Sequence, residues 1–262
     1  MGSIARQDGT TIAYRALGGG PIPVLFIHGW MVSGAVFDPL LAALDLGPYR
    51  VLVPDLRGSG ASGRPASGYD LATLAGDLAA ILEAEKTGPA RLVGHSMGGQ
   101  LAQLLAATRP ELVAGAVALN PVPAAGLPLP PDAVGLFRGS GGNRGSLGTI
   151  LDLACKQLPA SERERLVDDS AATAPASVEQ CFDAWTAGGF AGQLGEIRAP
   201  FLVVATDDPF LPPAFLRASV VDLIPGARLV HLPGPGHYPQ CERPAETAAI
   251  VGAFLAGVRP ST

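Results

Sequence analysis

Leu92-Val93-Gly94-His95-Ser96-Met97-Gly98-Gly99 is the stretch that decides the fold of this chain: an apolar strand end runs into G-x-S-x-G and then directly into an alanine-rich helix. A strand-to-helix turn this tight strains the serine backbone and lifts its hydroxyl to the top of a sheet. Only small residues at Gly94 and Gly98 let strand and helix approach so closely. The helix, over about residues 97–108 and stopped by Arg109-Pro110, aims its positive end at negative charge forming beside Ser96. With 34 glycines in the chain, one such motif is a weak signal, so its surroundings must carry the argument.

Four further loops supply that context. Val24-Leu25-Phe26-Ile27 ends in His28-Gly29-Trp30, and Arg50-Val51-Leu52-Val53-Pro54 ends in Asp55-Leu56-Arg57-Gly58-Ser59-Gly60. Downstream, Phe201-Leu202-Val203-Val204-Ala205 ends in Thr206-Asp207-Asp208-Pro209. The run Ala227-Arg228-Leu229-Val230-His231-Leu232 leads into Gly234-Pro235-Gly236-His237-Tyr238-Pro239. A serine, an acid and a histidine thus each follow a strand, in that order. Functional groups of open α/β sheets collect at the carboxyl ends of strands, so these loops are expected to converge on one rim.

In these residues the chain resembles the α/β-hydrolase superfamily over almost its whole length. The matching motifs are H-G-W at His28, D-x-R-G-x-G-x-S from Asp55 to Ser62, G-H-S-M-G-G at the elbow, D-x-x-x-P from Asp208 to Pro212, and G-H-x-P-x-x-E-x-P from Gly236 to Pro244. The resemblance implies an α/β-hydrolase fold: a mostly parallel eight-stranded sheet with helices on both faces and a small helical cap inserted after the sixth strand. It makes Ser96 the nucleophile, His237 the general base and acid, and Asp208 the residue that orients His237. Asp207 is the rival acid, and the spacing to Pro212 favours Asp208. An acid on the preceding strand is closed off, because that strand ends in Asn120.

The chemistry requires this division of labour. A serine hydroxyl is a poor nucleophile until an imidazole takes its proton, and the imidazolium needs a fixed carboxylate to hold its tautomer and charge. The tetrahedral oxyanion needs preorganised donors, for which the backbone N–H groups of Met97 and Trp30 are the candidates. His28 is expected to shape the oxyanion loop, His95 to face away from the site, and His231 to lie within a strand. Asp55 and Arg57 are expected to pin loops near the rim through charge-assisted hydrogen bonding.

Composition sets limits on partners. The 262 residues carry a net charge of −5 and a pI near 5.3, with Lys and Arg scattered, which speaks against nucleic acid. Cys155, Cys181 and Cys241 show no metal spacing and read as free thiols in a reducing compartment. There is no CxxC, HExxH or P-loop pattern, so neither metal nor cofactor is implied. The amino terminus lacks the features of a signal peptide and no apolar run reaches membrane-spanning length. A cytoplasmic protein acting on a small molecule, with no membrane partner, is the expectation.

The chain divides into residues 1–121 and 195–262, which make the catalytic core, and 122–194, which make the cap. Asp8-Gly9 favours an opening hairpin, and alternating strand and helix patterns then specify a parallel sheet with right-handed crossovers. The insert offers three helical patterns, near 147–158, 160–169 and 177–187, preceded by a Gly-rich run at 139–145 that reads as a flexible surface loop or a hinge. Glu162, Arg163, Glu164 and Arg165 read as a solvated face. Its apolar residues Leu136, Phe137, Leu147, Ile150, Leu151, Phe182, Trp185 and Phe190 are candidate pocket walls. Phe137, Phe182 and Trp185, together with Trp30 at the entrance, are the proposed substrate contacts.

Departures from related subfamilies narrow the reaction. Family dehalogenases and epoxide hydrolases carry aspartate at the nucleophile and proline two residues after H-G, where this chain has Ser96 and Met31. The C–C bond hydrolases differ in the H-G loop, and the cofactor-free haloperoxidases usually have proline at the place of Met31. The reading that follows is an esterase or lactonase acting through an acyl-Ser96 intermediate on a small, mainly apolar substrate. A cofactor-independent oxygenase, C–C hydrolase or lyase using His237 directly, and a hydrolase-like small-molecule receptor, are the alternatives.

Overall fold

The apolar runs of the sequence become the middle of one sheet. Val24, Leu25, Phe26 and Ile27 are all fully buried, and each such side chain contributes about 1.5–3 kcal/mol on leaving water. The computed structural model describes residues 1–258. Its strands are β1 (Gly2–Ala5), β2 (Thr11–Leu17), β3 (Ile22–Ile27), β4 (Tyr49–Pro54), β5 (Ala90–His95), β6 (Val113–Leu119), β7 (Phe201–Thr206) and β8 (Arg228–Leu232). They form a single eight-stranded sheet in the order β1-β2-β4-β3-β5-β6-β7-β8. β1 and β2 pair antiparallel around Gly9, whose φ of 80° fits the turn; β2 is antiparallel to β4, and the remaining pairs are parallel.

The helices are α1 (Asp38–Ala43), α2 (Leu71–Ala84), α3 (Met97–Thr108), α4 (Pro131–Arg138), α5 (Arg144–Ala154), α6 (Ala160–Ala172), α7 (Pro175–Ala187), α8 (Pro213–Ser219), α9 (Pro239–Glu242) and α10 (Pro244–Gly257). Around the sheet, α3 packs on β5 and β6 beside α2, and α1 packs with α10. Strand order jumps at β3, so β3 and β5 lie side by side at the centre, and their carboxyl ends hold His28 and Ser96 next to each other. No described helix is long and apolar enough to cross a membrane.

The insert between β6 and β7 contains four helices, α4 to α7, where the sequence pattern predicts three. The additional one, α4, begins at Pro131 with a proline in its first turn. Proline is well accommodated at that position, but the surrounding prolines mask the apolar period in a segment this short. The Gly-rich run after it lies at the surface and is anchored at two points: Ser140 is fully buried and donates to the Phe137 carbonyl, and Asn143 caps α5 by accepting from the Ser146 N–H.

Several bonds fasten the insert to the rim. Asp169 accepts from the Ser33 N–H at 2.8 Å, Trp30 Nε1 donates to the Val178 carbonyl at 2.7 Å, and the Ala174 N–H donates to the Gly58 carbonyl at 2.8 Å. Arg165 belongs with them. It pairs with Glu162 but also donates to the Ala35 carbonyl at 3.1 Å, so it bridges insert and core instead of lying on a purely solvated face.

Candidate active site

Glycine sets the geometry of the elbow. Ser96 has φ 55°, a conformation an L-residue adopts only under constraint and at a cost on the order of 1–3 kcal/mol. A Cβ on Gly98 would lie 2.0 Å from the Ile27 carbonyl oxygen, and one on Gly94 would lie 2.3 Å from the Gly98 carbonyl oxygen. Strand β3, strand β5 and helix α3 can meet here only without those side chains. The strained turn is held by backbone bonds: the Ser96 N–H donates to the Leu119 carbonyl, and the Ser96 carbonyl accepts from Gly99, Gln100 and Val122.

Ser96, His237 and Asp208 come together in one hydrogen-bonded line. Ser96 Oγ lies 2.9 Å from His237 Nε2, and His237 Nδ1 lies 2.5 Å from Asp208 Oδ2. Asp208 is buried, and its other oxygen accepts from the Phe210 N–H at 2.8 Å, so the carboxylate cannot swing away. Because Nδ1 donates to the carboxylate, Nε2 is left to accept the serine proton. Asp207 points elsewhere: it faces His231 Nε2 at 2.9 Å and accepts from the Gly234 N–H, which lowers its carboxyl below the ordinary range. Met97 opens α3, so its N–H is among those a helix leaves without an intrahelical partner. Trp30 follows His28-Gly29 beside the elbow, where the position of a Cβ on Gly29 would be 3.1 Å from Ser96 Cβ.

The loop bearing His237 is tied down by residues to which the sequence assigns no such role. The His237 N–H donates to the Ala154 carbonyl at 2.8 Å, and its own carbonyl accepts from His95 Nε2 at 2.9 Å and Asn120 Nδ2 at 3.2 Å. Asn120 also donates to the Gly236 carbonyl and Thr206 Oγ1, and accepts from the Thr206 N–H. Glu242 is a second clamp. Its carboxylate accepts backbone N–H groups of Lys156, Gln157, Gly236 and Tyr238, joining the end of α5 to the His237 loop. The glutamate of the G-H-x-P-x-x-E-x-P motif was the available signal for it.

The remaining polar residues sort by their partners. His95 does not line the cavity: its fully buried ring packs behind His237, with the ring centroids 4.9 Å apart, and burial lowers its pKa well below the ordinary value. His28 donates from Nδ1 to the Gly29 carbonyl and accepts the Leu56 N–H at Nε2, and burial lowers its pKa as well. It therefore shapes the loop. Asp55 and Arg57 pin loops separately, Asp55 through the Gly34 and Ala61 N–H groups, Arg57 through Asp77 and Asp8. The thiols of Cys155, Cys181 and Cys241 are all pushed up by burial, that of Cys181 to about 12.

A family model described as the alpha/beta hydrolase family matches residues 24–250. The chain belongs to the α/β-hydrolase family. Among its relatives is a non-heme chloroperoxidase of Streptomyces lividans, 31% identical over 260 residues that span 90% of this chain and 93% of the relative. The structure of Est816, described as an N-acyl homoserine lactone degrading enzyme, superimposes with a TM-score of 0.80 at 30% identity, covering 95% of this chain and 99% of the other. The esterase EaEST of Exiguobacterium antarcticum shares the fold with a TM-score of 0.90 at 22% identity, covering 97% and 99%.

A cavity lies over the serine. It is narrow, about 50 Å³, and its wall includes Ser96 and His237 with Trp30, Phe137, Ile150 and Trp185. Met31, Leu127, Leu129 and Phe210 complete much of the rest, and sequence periodicity singled out none of them. Phe182 is not on the wall. It packs behind, with its ring 6.0 Å from Trp30 and 5.1 Å from Trp185, edge-to-face with the latter. Leu136, Leu147, Leu151 and Phe190 are likewise absent from the lining. A helical stripe marks which residues are buried, not which buried face meets the cavity.

Proposed function

We propose that the protein is a serine hydrolase that cleaves a carboxylic ester or lactone of a small, mainly apolar substrate through an acyl-Ser96 intermediate. The observation that carries the reading is the continuous relay of 2.9 Å and 2.5 Å from Ser96 through His237 to Asp208, set below an apolar cavity. His237 Nε2 takes the hydroxyl proton as Ser96 Oγ bonds to the substrate carbonyl carbon. The imidazolium is held by Asp208 and then returns the proton to the departing alkoxide. Water repeats the sequence on the acyl-enzyme, releasing the acid and restoring Ser96. Charge on the carbonyl oxygen is met by the Met97 and Trp30 N–H groups, with the positive end of α3 behind them. The insert serves as the cap, and no metal or cofactor takes part in this scheme.

Single-turnover kinetics with p-nitrophenyl esters of graded acyl length test the proposal, with the protein followed by intact mass. A burst of p-nitrophenol with an acyl adduct on the wild type and none on Ser96→Ala is the expected result. Ligand binding without burst or adduct would overturn it in favour of a receptor, and turnover that survives in Ser96→Ala but not His237→Ala would point to direct proton abstraction. The chloroperoxidase name of one relative motivates a control. An ester hydrolase turns over with neither peroxide nor halide present.

A further inference from the structure

Backbone strain collects around the site. Apart from glycines, the described residues with positive φ are Met31 (59°), Lys86 (50°), Ser96 (55°) and Asn120 (40°). Ser96 is the nucleophile of the proposed reaction and Asn120 holds the His237 loop, so two of these four already belong to it. Lys86 lies just past Glu85, the C-cap of α2, where a left-handed residue is the usual way to end a helix. Met31 ends no helix, and strain of this kind persists only where the surroundings impose it.

Both flanks of Met31 are pinned. On one side the Trp30 indole donates to the Val178 carbonyl at 2.7 Å, and its ring stacks on Phe137 at 5.7 Å. On the other, the Ser33 N–H donates to Asp169 at 2.8 Å and the Gly34 N–H to Asp55 at 2.9 Å. Only Met31 and Val32 join the two, and the left-handed residue makes the turn between them. With Ser33 fixed, rotation about the Met31 N–Cα bond would swing the Trp30 backbone relative to Ser96. The same arrangement flanks the other candidate donor. Ser96 immediately precedes Met97 as Met31 immediately follows Trp30, so a left-handed residue other than glycine adjoins each.

We propose that Met31 is a positioning residue for the oxyanion hole, its left-handed backbone holding the Trp30 N–H where the substrate carbonyl oxygen becomes charged. The assignment rests on the serine hydrolase reading and adds a residue to it. A displaced donor weakens the transition state more than the bound ester, because the charge it answers appears only on reaction. Residue 31 is therefore expected to act on the rate of acylation and little on substrate binding.

Met31→Leu and Met31→Ile test this, because the two side chains have the same atoms and differ in the carbon that branches. Leucine branches beyond Cβ, as far from the backbone as the methionine chain allows, whereas isoleucine branches at Cβ and resists a left-handed conformation. Single-turnover acylation by p-nitrophenyl acetate gives a maximal rate and a half-saturating concentration for each. The maximal rate of Met31→Leu should exceed that of Met31→Ile by about 10–100-fold, with half-saturating concentrations within a few-fold. Met31→Gly has no side chain but takes the conformation freely, so it should also acylate faster than Met31→Ile. A residue that only filled the wall would make glycine the slowest of the three.

Trifluoroacetone reads the oxyanion hole directly. Ser96 Oγ bonds to its carbonyl carbon, the hydroxyl proton passes to His237, and the carbonyl oxygen is left as an oxyanion. This ketone should bind Met31→Ile more weakly than Met31→Leu by about the ratio of their acylation rates, while trifluoroisopropanol, which forms no oxyanion, should bind both alike. Should Met31→Ile not fold, Met31→Thr against Met31→Ser poses the same question with less bulk. Equal maximal rates in the two members of a pair, or a difference confined to the half-saturating concentration, overturn the proposal and leave Met31 as wall alone. Acyl-enzyme formed at such equal rates refutes this inference only, whereas the absence of any acyl-enzyme on the wild type refutes the hydrolase reading beneath it.

Discussion

The rim of the sheet and the underside of the insert face each other across the cavity and are built by different means. On the rim, directional bonds fix every polar atom that matters: Ser96 through the Leu119 carbonyl, His237 through Ala154, His95 and Asn120, and Asp208 through the Phe210 N–H. Beneath the insert, rings touch rings. Trp30 stacks on Phe137 at 5.7 Å, and Phe182 meets Trp185 edge-on at 5.1 Å. Hydrogen bonds lose strength steeply with angle and distance, whereas apolar packing accepts a change of shape at modest cost. On the hydrolase reading proposed above, reaction chemistry is set on the side that cannot vary, and substrate choice on the side that can.

That contrast is broken most severely at Ser96 and His237. Ser96→Ala and His237→Ala are each expected to lower ester kcat/KM by about 10⁴-fold or more, and the double variant by no more than the worse single one. Steady-state hydrolysis measures the loss, and thermal melts within a few degrees of wild type show that the fold survives. Losses that multiply in the double variant would mean that the two groups do not act as a unit.

Asn120 sharpens the comparison, because it acts on the rim without touching the serine. Its amide donates to three oxygens, those of Thr206 Oγ1, Gly236 and His237. In Asn120→Asp a carboxylate would face these same oxygens, so its pKa must rise above the unfolded value of about 3.9. The sign follows. The folded state then binds more protons than the unfolded one, so the variant's stability and its placement of His237 are best at low pH and decline as pH rises through the shifted pKa. Near neutral pH, activity should fall about 10–100-fold, since a small displacement of a positioned group can cost 10²-fold. A pH–rate profile that keeps the wild-type shape while losing amplitude would reduce Asn120 to simple packing.

The same division explains what the sequence makes legible. The elbow, the order of serine, acid and histidine, the opening hairpin and the mostly parallel character of the sheet follow from local signals: glycines where a Cβ would collide, turn residues at strand ends, apolar runs of strand length. Asn120 could be dismissed as an uncharged stand-in for an acid, because its partners Thr206 and Gly236 lie 86 and 116 residues away and nothing local announces them. The bond from His95 to the His237 carbonyl is hidden for the same reason, its partner being 142 residues distant. In the insert the difficulty is rotational. Phe182 and Trp185 share a helix and are both buried, yet only Trp185 reaches the cavity wall, and periodicity cannot resolve two positions so close on one face.

Phe182 gives the next test, on the tolerant side. Phe182→Leu removes ring contacts behind the wall without adding a polar group, and is expected to cost about 1–2 kcal/mol of stability. A melting temperature lowered by a few degrees would record it. Acyl-length preference should shift by only a few-fold as Trp30 and Trp185 settle into the space, leaving the burst on Ser96 intact. Loss of the burst itself would show that the insert positions the reacting groups, and the two-sided description would fail.

Arg165 sets the lower bound. It is about one-third exposed at the side chain, pairs with Glu162 three residues away, and gives one hydrogen bond to the Ala35 carbonyl. Exposed ion pairs contribute about 1 kcal/mol or less, and Asp169, Trp30 and Ala174 hold the insert independently. Arg165→Met keeps the aliphatic stem and should change the melting temperature by no more than about 4 °C, with acyl-length preference unaltered. A preference that moves with this substitution would mean that the insert's seat on the rim, and not the shape of its underside, selects the substrate. Recognition would then reside in the placement of α6 against the Ser33–Ala35 segment, and the rings around Trp30 would be packing alone.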